Sequence, residues 1–530
     1  MHALISVSPN YRRDYLALLG LSAAASLAAL TVYYRQNAIL LYGDAVAHIN
    51  IARRVFDSRT PGITQLGTVW LPLPHLLDIP FILNGWLWQT GIGAAIPSML
   101  AYIAGAVGVF RLVRSTAPVQ TAASRMSAWI AALIYALNPN LLYLQSTAMT
   151  EPLYMAVFIW AVIYFSEFVQ HRENPSRAGR ALERCAVLLA AAMLVRYDGW
   201  FLTGVLLPAG WVAAWRTGRL TALRRQLVKF SLLPLLTAGL WLAYNQAAYG
   251  SALEFATGQY SSRAIEQRSR TATMPTYPGE NSPRDATLYF LKLARLNNGQ
   301  DKAEYALFTG ALVSMLAMVY FSRGYSPWLL LWLPFPFYVL SITWGSVPIY
   351  FPEWYPFSYY NVRYGIELLP AMAVFFALGF RFLSNFFSPR RVAATAVLVI
   401  ALSYASVWQH SPICLREARV NGATRMVFEQ QVAAVLRKLP AQATLLMQLS
   451  DHPGAAQQAG IALRRVVHES NSPSWQEGLA NPAHCADYVI TFPGDEVSYA
   501  LRREQQGLKP LTTINPGGRS SAVIYRSLVR

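Results

Sequence analysis

The sequence predicts a polytopic α-helical membrane protein with a small C-terminal α/β domain outside the membrane. Only 13% of its 530 residues are charged and 54% are hydrophobic, whereas about a quarter of the residues in a soluble protein are charged. Apolar runs of about 20 residues recur along the chain, and such a run is long enough to cross a bilayer as a helix. After about residue 410 the composition becomes that of a soluble domain.

About eleven apolar runs are predicted to span the membrane. The first is longer than the core of a signal peptide, so we expect an uncleaved first helix. A twelfth segment, 73–89, is short for a bilayer and contains Pro74, His75, Asp78 and Pro80, so we expect an interfacial or re-entrant helix. The predicted spans are 15–35, 94–113, 127–145, 152–169, 182–197, 199–215, 230–249, 305–321, 327–343, 362–380 and 392–410.

The distribution of basic residues predicts the orientation. The formal net charge of +18 comes largely from basic residues in short loops between spans, which indicates the positive-inside pattern of a membrane protein and not a nucleic-acid-binding surface. If segment 73–89 does not span the membrane, these loops lie on the same side as Arg12 and Arg13, and that side is predicted to be cytoplasmic. They contain Arg111, Arg114, Arg125, Arg172, Arg177, Arg180, Arg184, Arg216, Arg219, Arg224, Arg225, Lys229, Arg323, Arg381, Arg390 and Arg391.

This orientation divides the chain into two domains. A transmembrane domain, 1–410, has its polar connections 36–93, 250–304 and 344–361 on the outer face. The tail, 411–530, alternates strand-like and helix-like segments, which is typical of a small α/β domain. It has no phosphate-binding glycine loop, so we assign it no nucleotide. With the tail outside, a Cys414–Cys485 disulfide is one of two open readings; the other is that both thiols are free.

The stretch "YGDAVAHINIARRVFDS" follows the first span and is rich in polar residues. Read as a helix beginning near Gly43, it puts Asp44 and His48 four residues apart on one face. The pair could serve catalysis or substrate binding; alternatively, Asp44 only caps the helix. We expect Arg53 and Arg54 to meet lipid headgroups. A second stripe is apolar enough to rest on the membrane and comprises Ala45, Ile49, Ala52 and Phe56.

Two turns between spans carry charges at the same face. Glu151, in "TEPLY", lies at the mouth of a span, where a carboxylate is costly unless it is paired or hydrated. The alternative is an ordinary helix start with Thr150 as the cap. Arg196 and Asp198, in "RYDGW", either belong to a functional site or form a local ion pair in a tight hairpin.

Two later segments offer groups that suit a phosphate. The loop 250–304 is long enough to be a binding loop or lid, and it ends with Lys292 and Arg295. The segment "NVRYGIELLP" brings Arg363 to the mouth of a span, and arginine presents a rigid fork of donors to phosphate oxygens. Glu367, one helical turn deeper, is the predicted partner of Arg363. The neighbouring aromatics Tyr360 and Tyr364 could serve either the site or an interfacial belt.

Together these motifs resemble the polyprenyl-phosphate-sugar-dependent glycosyltransferases of the GT-C superfamily. The likeness covers roughly residues 10–410 and is greatest to bacterial protein mannosyltransferases and lipid A aminoarabinose transferases. It includes the acidic first loop, the segment "WLPLPHLLDIPF", and the "TEPLY", "RYDGW" and "NVRYGIELLP" motifs. In that family the first-loop acid acts at the acceptor, and here it maps onto Asp44. The family's usual acidic pair is absent, because Ala45 follows.

The resemblance implies a GT-C-like fold and an inverting hexosyl- or pentosyltransferase. It would move a sugar from a polyprenyl-phosphate carrier to a lipid, glycan or protein acceptor, at the periplasmic face of a bacterial cytoplasmic membrane, with no nucleic acid as partner. Asp44 would be catalytic. The predicted substrate-binding residues are His48, Glu151, Arg196, Asp198, Lys292, Arg295, Tyr360, Arg363 and Tyr364.

The sequence leaves two questions open, whether a metal binds and whether the protein is an enzyme. No cofactor is required, although a divalent metal could be held by Asp44, His48 and Glu151. The alternative function is a transporter or flippase of a lipid-linked saccharide, which should carry charges at mid-membrane depth and interrupted helices in two related halves. A non-catalytic scaffold that presents the tail is a third reading.

Overall fold

A computed structural model describes residues 9–117, 121–171, 173–321, 326–503, 506–515 and 521–530. Within these residues the chain is mostly helical, and one continuous hydrophobic core extends from the first long helix into the C-terminal sheet. Among the described residues, eight helical segments are long and apolar enough to cross a membrane. The chain is therefore a multi-pass membrane protein, and the count of eleven spans stays a prediction.

Every predicted span coincides with helical structure, although several of the helices are interrupted. Proline accounts for three interruptions, because it lacks the N–H that continues a helix and is tolerated in the first turn of the next one. The helical segment that follows each interruption has a proline as its first or second residue, namely Pro139, Pro334 or Pro370. Two of the predicted cytoplasmic arginines, Arg172 and Arg323, lie outside the described residues.

The helices of residues 9–436 are the following. They are α1 (Pro9–Arg35), α2 (Gly43–Arg54), α3 (Pro72–Ile82), α4 (Gly85–Thr90), α5 (Ile92–Ser115), α6 (Ala122–Ala136), α7 (Pro139–Leu144), α8 (Glu151–Gln170), α9 (Pro175–Val195), α10 (Asp198–Arg216), α11 (Leu220–Tyr249), α12 (Glu254–Thr257), α13 (Ser262–Ser269), α14 (Pro283–Leu296), α15 (Glu304–Phe321), α16 (Pro334–Trp344), α17 (Leu369–Leu383), α18 (Pro389–Gln409) and α19 (Ile413–Leu436). Short 3₁₀ helices occupy Ile63–Leu66, Asp301–Ala303, Pro327–Trp332 and Val362–Leu368.

The first outer segment folds into α2, α3 and α4, as predicted for a helix at Gly43 and a short helix in 73–89. The apolar stripe of α2 does not rest on a membrane, because Ala45, Ile49 and Ala52 are fully buried in the protein core. That expectation was wrong because helical periodicity shows that a face is apolar, but not whether lipid or protein covers it.

The two arginines at the end of α2 also bind protein groups. Arg53 pairs with Asp57 at 2.9 Å and donates to the carbonyl of Ile82, and Arg54 donates to Ser470 in the tail. The headgroup contacts predicted for these arginines are replaced by contacts that fix α2 against α3 and against the tail.

The tail is a small α/β unit built on a five-stranded sheet. The strand order is β2-β1-β3-β5-β4, with parallel pairing among the first three strands and antiparallel pairing among the last three. This confirms the strand–helix alternation predicted from the sequence. The elements are β1 (Leu445–Leu446), α20 (Pro453–Ala459), β2 (Val466–Val467), α21 (Ser474–Ala480), α22 (Pro482–Cys485), β3 (Tyr488–Thr491), α23 (Glu496–Arg503), β4 (Leu508–Ile514) and β5 (Ala522–Ser527), with a 3₁₀ turn at Leu463–Arg465.

The disulfide reading of the tail cysteines does not hold. Cys414 is buried at the start of α19 and its thiol faces the side chain of Asn297, whereas Cys485 ends α22. All three cysteines of the chain are free thiols.

Candidate active site

The backbone before α17 turns so that one arginine side chain is brought inward. Tyr350 and Tyr360 pair as a short antiparallel bridge, with N···O distances of 2.9 and 3.1 Å. Asn361 follows with φ of 55°, a left-handed conformation that asparagine tolerates better than most residues, and its amide donates to the carbonyl of Pro348 at 2.9 Å. The chain then enters the 3₁₀ helix that carries Arg363, whose side chain is 9% exposed.

Arg363 joins two carboxylates that lie far apart in the sequence. Its Nη2 donates to Oδ2 of Asp44 at 2.6 Å, and its Nε donates to Oε1 of Glu151 at 3.0 Å. Neither bond uses Nη1. The sequence predicted all three residues at the same face of the membrane, but it predicted Glu367, and not these two acids, as the partner of Arg363.

Arg196 forms the second centre of the same network. It donates to Oε1 of Glu151 at 3.1 Å and to Asp198 at 3.0 Å, and it lies 3.2 Å from Glu367. The local Arg196–Asp198 pair considered from the sequence is therefore present, but it belongs to a larger cluster. Glu151 links the two arginines through one oxygen, while its other oxygen, Oε2, is buried without a hydrogen-bond partner.

The predicted pairing of Glu367 with Arg363 is wrong. Glu367 lies beside Arg196 instead and accepts a hydrogen bond from Tyr338 at 2.9 Å. The reason is the helix type: residues 362–368 form a 3₁₀ helix with three residues per turn, so positions four apart do not share a face as they would in an α-helix.

One aromatic ring, that of Tyr364, contacts both guanidinium groups. The ring of Tyr364 lies 5.0 Å from the guanidinium carbon of Arg363 and 5.1 Å from that of Arg196. It also stacks on Tyr338 at 5.0 Å between ring centroids. Cation–π contacts of this kind hold both cations in place without neutralising them, so the arginines keep their charge for the carboxylates and for any anionic ligand.

The network carries more negative than positive formal charge. Two arginines meet four carboxylates, those of Asp44, Glu151, Asp198 and Glu367. Burying ionised groups costs free energy that ion pairs offset only when the geometry is good. Asp44 differs from the others because its side chain is 39% exposed, against 0% for Glu151 and Glu367. Asp44 is thus the carboxylate that a substrate can reach.

The helix-capping alternatives do not account for the two acids. The N-cap of α2 is Tyr42, and no side chain caps that helix, so Asp44 is committed to Arg363. Similarly, Thr150 precedes α8 without capping it, and its hydroxyl accepts a hydrogen bond from Arg196 at 3.1 Å. Both helix starts serve the ionic network instead.

The tail contributes a residue to the site that the sequence analysis missed. Glu417, on α19, is buried; it accepts a hydrogen bond from the hydroxyl of Tyr42 at 2.6 Å and one from the backbone N–H of Val362 at 3.3 Å. Tyr42 lies two residues before Asp44, and Val362 directly precedes Arg363. Burial, followed by the charge of Glu417, raises the pKa of Tyr42 well above its usual value, so its hydroxyl stays protonated and able to donate.

Other contacts of α19 reinforce the same two segments. Arg425 donates to the carbonyl of Leu40 at 2.8 Å, and Asn421 donates to the carbonyl of Tyr359 at 3.0 Å. Gly422 permits this approach, because a Cβ there would come within 1.9 Å of the carbonyl oxygen of Leu41. The site is therefore completed by a helix beyond residue 410, where the predicted transmembrane domain ends.

His48 shares a helix with Asp44 but not its contacts. Its Nδ1 lies 2.8 Å from Nε2 of His75, and its ring packs on Trp70 at 4.8 Å. The side chain is buried, and burial lowers the pKa of His48 to about 4, so the imidazole is neutral. The structure places His48 in a histidine pair behind α2, separate from the bonds of the ionic network.

Lys292 and Arg295 also have partners outside the ionic network. Lys292 binds Glu304 at 2.7 Å and Glu353 at 2.5 Å. Burial lowers its pKa, but the hydrogen bonds to the two glutamates outweigh burial and raise the pKa overall. Arg295 stacks over Tyr305 at 4.6 Å. Their contact with a phosphate stays a prediction.

The residues predicted as metal ligands do not assemble into a metal site. Asp44 and Glu151 are joined by the guanidinium of Arg363, and His48 is paired with His75. Across the described ranges, no group of three or more His, Cys, Asp or Glu side chains could hold a metal ion. The donors therefore do not fit a metal in this arrangement, and we derive no step through one.

No protein-family model and no curated protein sequence matches the chain. Solved structures do match. ArnT from Cupriavidus metallidurans in the apo state aligns with a TM-score of 0.59 and 13% identity, over 96% of this chain and 98% of that one. The same protein bound to undecaprenyl phosphate aligns with a TM-score of 0.56 and 13% identity, over 98% of both chains.

An oligosaccharyltransferase from Archaeoglobus fulgidus aligns less closely. Its apo form gives a TM-score of 0.49 and 11% identity, over 97% of this chain and 75% of that one. At 13% identity the ArnT likeness shows architecture and not activity, and it extends over the C-terminal tail as well as the membrane helices. The chain thus shares the fold of ArnT, in agreement with the GT-C-like fold that the sequence motifs predicted.

Proposed function

We propose that this protein is a membrane glycosyltransferase that moves a sugar from a polyprenyl-phosphate carrier to an acceptor hydroxyl. The observation that carries the proposal is Arg363, which holds the accessible Asp44 and the buried Glu151 together at the mouths of separate helices. An ArnT with the same fold binds undecaprenyl phosphate, which supports a carrier of that class. A carrier lipid already lies in the membrane plane, so the chain needs no nucleotide-binding loop.

In this proposal Arg363 and Arg196 stabilise the leaving phosphate. The bonds of Arg363 to Asp44 and Glu151 use Nη2 and Nε, so Nη1 can donate to a phosphate oxygen. A guanidinium fixed before the substrate arrives stabilises the charge that develops on the bridging oxygen, at little cost in reorganisation. Phosphate binding would also compete for Nη2 and loosen the bond to Asp44.

Asp44 then receives or positions the acceptor. The acceptor oxygen attacks the anomeric carbon, the bond from that carbon to the phosphate oxygen breaks, and the bonding electrons leave with the phosphate. The proton of the acceptor hydroxyl passes to Asp44, acting as general base. A single displacement of this kind inverts the anomeric configuration.

The excess of carboxylates fits the sugar side of the same reaction. A sugar carbon that loses its leaving group acquires positive charge in an oxocarbenium-like transition state. One buried oxygen without a hydrogen-bond partner, Oε2 of Glu151, adds to the negative potential of the network. The network would therefore favour positive charge at the sugar and negative charge at the phosphate at once.

The placement of the charges favours an enzyme over a transporter. Asp44, Glu151 and Asp198 all stand in the first turns of their helices, and Arg363 precedes α17. They are gathered at the helix ends, whereas a transport path needs charges at mid-membrane depth. We place this end of the bundle, with the tail, on the periplasmic side of a bacterial cytoplasmic membrane, with the N-terminus in the cytoplasm.

The proposal is tested by transfer in membranes that contain the chain. The membranes are supplied with polyprenyl-phosphate carrying a radiolabelled hexose or pentose, and label in envelope lipid, glycan and protein fractions is measured. We expect label to appear in one fraction with the wild-type chain and not with a folded Asp44→Asn variant. Label that only crosses the membrane while still attached to its carrier would support the flippase instead.

A further inference from the structure

A polar cavity opens between α13 and the end of α16, and the reaction proposed above does not use it. Its volume is about 460 Å³, within the range of about 300–1,000 Å³ that is typical of small-ligand sites. The cavity is built on the loop predicted as a binding loop or lid. Its walls include Arg263, Glu266, Gln267, Arg270, Glu280 and Trp344.

The charged groups of the cavity balance one another. Arg270 binds Glu266 through two donors at 2.9 Å each, and it binds Glu280 at 2.6 Å. Arg263 supplies a second positive charge. With two cations and two carboxylates, the lining gives no net attraction for an anion such as phosphate or for a cation. A neutral ligand with many hydrogen-bonding groups matches this lining best.

The remaining lining offers both donors and acceptors to such a ligand. Arg263 and Gln267 are exposed and stand four residues apart on one face of α13. One oxygen of Glu280, Oε2, is buried without a hydrogen-bond partner. At the rim, Trp344 is 64% exposed, so its indole face is free to lie against the apolar face of a pyranose or furanose ring.

Two paired tyrosines, which do not line the cavity, lie within electrostatic range of the cavity and of the ionic network. Tyr350 and Tyr360 are paired by backbone hydrogen bonds, and their rings lie 5.8 Å apart. Glu266 acts electrostatically on Tyr350 from the cavity side, and Asp44 acts on Tyr360 from the network side. A saccharide that extends beyond the reacting sugar could follow this tyrosine pair from one site to the other.

We infer that the cavity between α13 and α16 is a subsite for a neutral sugar unit. This inference depends on the proposed function only for the source of the sugar unit, which is either the sugar of the carrier lipid or a glycan acceptor. Binding of a sugar at the cavity is a property of the lining itself and does not require that transfer occurs.

The first experiment measures sugar binding without turnover. Saturation-transfer difference NMR on the full chain in detergent uses methyl α-D-mannopyranoside and methyl α-L-arabinopyranoside as probes, with competition by inorganic phosphate. We expect saturation of the sugar protons, no displacement by phosphate, and binding about tenfold weaker in Trp344→Ala and in Arg263→Ala. Displacement by phosphate, or unchanged binding in both variants, would overturn the inference.

Matched control variants separate the cavity from the general surface. Arg268 lies on α13 but donates to the carbonyl of Gln259 and does not line the cavity, so Arg268→Ala controls for Arg263→Ala. Trp408, 49% exposed near the end of α18, controls for Trp344. Both controls should bind the probes as the wild type does. Equal losses in variants and controls would count against a specific site.

A second experiment assigns the source of the sugar. In the transfer assay, Trp344→Ala should raise KM by about tenfold for one substrate only. A change in the KM of the carrier-linked sugar assigns the cavity to the donor, and a change in the KM of the acceptor assigns it to a glycan acceptor. If the NMR probes bind but no transfer is found, the proposed function fails while the subsite stands. If transfer proceeds and no probe binds, only the subsite fails.

Discussion

Asp44 and His48 stand one turn apart on α2, yet their surroundings are opposite in kind. Asp44 is 39% exposed and joins an ionic network with an excess of carboxylates. His48 is buried in a neutral histidine pair. Residues four apart on a helix share a face, but their partners come from other elements. Helical spacing therefore identified two candidates, and only the fold shows that one is accessible in the ionic network and the other is buried beside His75.

The largest effect should come from Asp44→Asn, which keeps the shape of the side chain and removes its basicity. We expect kcat to fall by about a thousandfold, within the range usual for loss of a general base. Because the side chain is half-exposed, the melting temperature should change little. Transfer at the wild-type rate by a folded variant would show that Asp44 only holds Arg363 in place.

Arg363→Ala should mainly affect the carrier lipid. Loss of its charged hydrogen bonds should weaken binding of undecaprenyl phosphate by about 10- to 100-fold, measured by titration of the purified chain. The same change leaves Glu151 buried beside one arginine instead of two, so a loss of several kcal/mol of stability is also expected. Arg363→Lys keeps the charge, and it should retain stability better than it retains affinity. Equal losses for carrier and acceptor would contradict the phosphate role.

The sequence predicted the charged residues of the network better than their pairing. Asp44, Glu151, Arg196, Asp198 and Arg363 could be found because a charge beside an apolar run is costly and needs a reason. The pairing depended on backbone detail that composition does not carry. The 3₁₀ form of residues 362–368 turned Glu367 from Arg363 to Arg196.

Contacts between residues far apart in the sequence were the other feature that could not be predicted. Glu417 lies 375 residues from Tyr42 in the chain, and no periodicity relates the two. The tail could be recognised as α/β because its strand and helix segments are local patterns. Its role in completing the site could not be recognised, because that role depends on how α19 packs against two loops.

The variant Glu417→Ala tests whether Asp44 depends on the tail for its position. The variant removes the acceptor for the Tyr42 hydroxyl and for the Val362 N–H. We expect kcat to fall about tenfold with little change in either KM, because a small displacement of Asp44 and Arg363 costs reaction rate more than binding. Glu417→Gln keeps an acceptor oxygen and should restore most of kcat.

Val420→Ala, at a position on α19 that is 62% exposed, provides the control for that variant and should behave as wild type. If Glu417→Ala lowers the melting temperature while kcat is retained, α19 stabilises the fold without positioning the site. If Glu417→Gln fails to restore kcat, the charge of Glu417 matters and not its hydrogen bonds.

The smallest effect on transfer should come from His48→Gln, and its signature should be in stability and pH. Burial lowers the pKa of His48 to about 4 and that of His75 well below its usual value, whereas an unfolded histidine titrates near 6.5. Between these values the unfolded chain binds protons that the folded chain does not, so the stability from the neutral pair is present above about pH 6.5 and is lost as the pH falls toward about 4. Burial raises the pKa of Asp78 on α3, which acts in the opposite direction, so the informative quantity is the difference in stability between the wild type and the variant.

Melting temperatures should show His48→Gln less stable than the wild type at neutral pH and closer to it at pH 5, with kcat nearly unchanged. A large fall in kcat at full stability would instead place His48 with Asp44 in the chemistry.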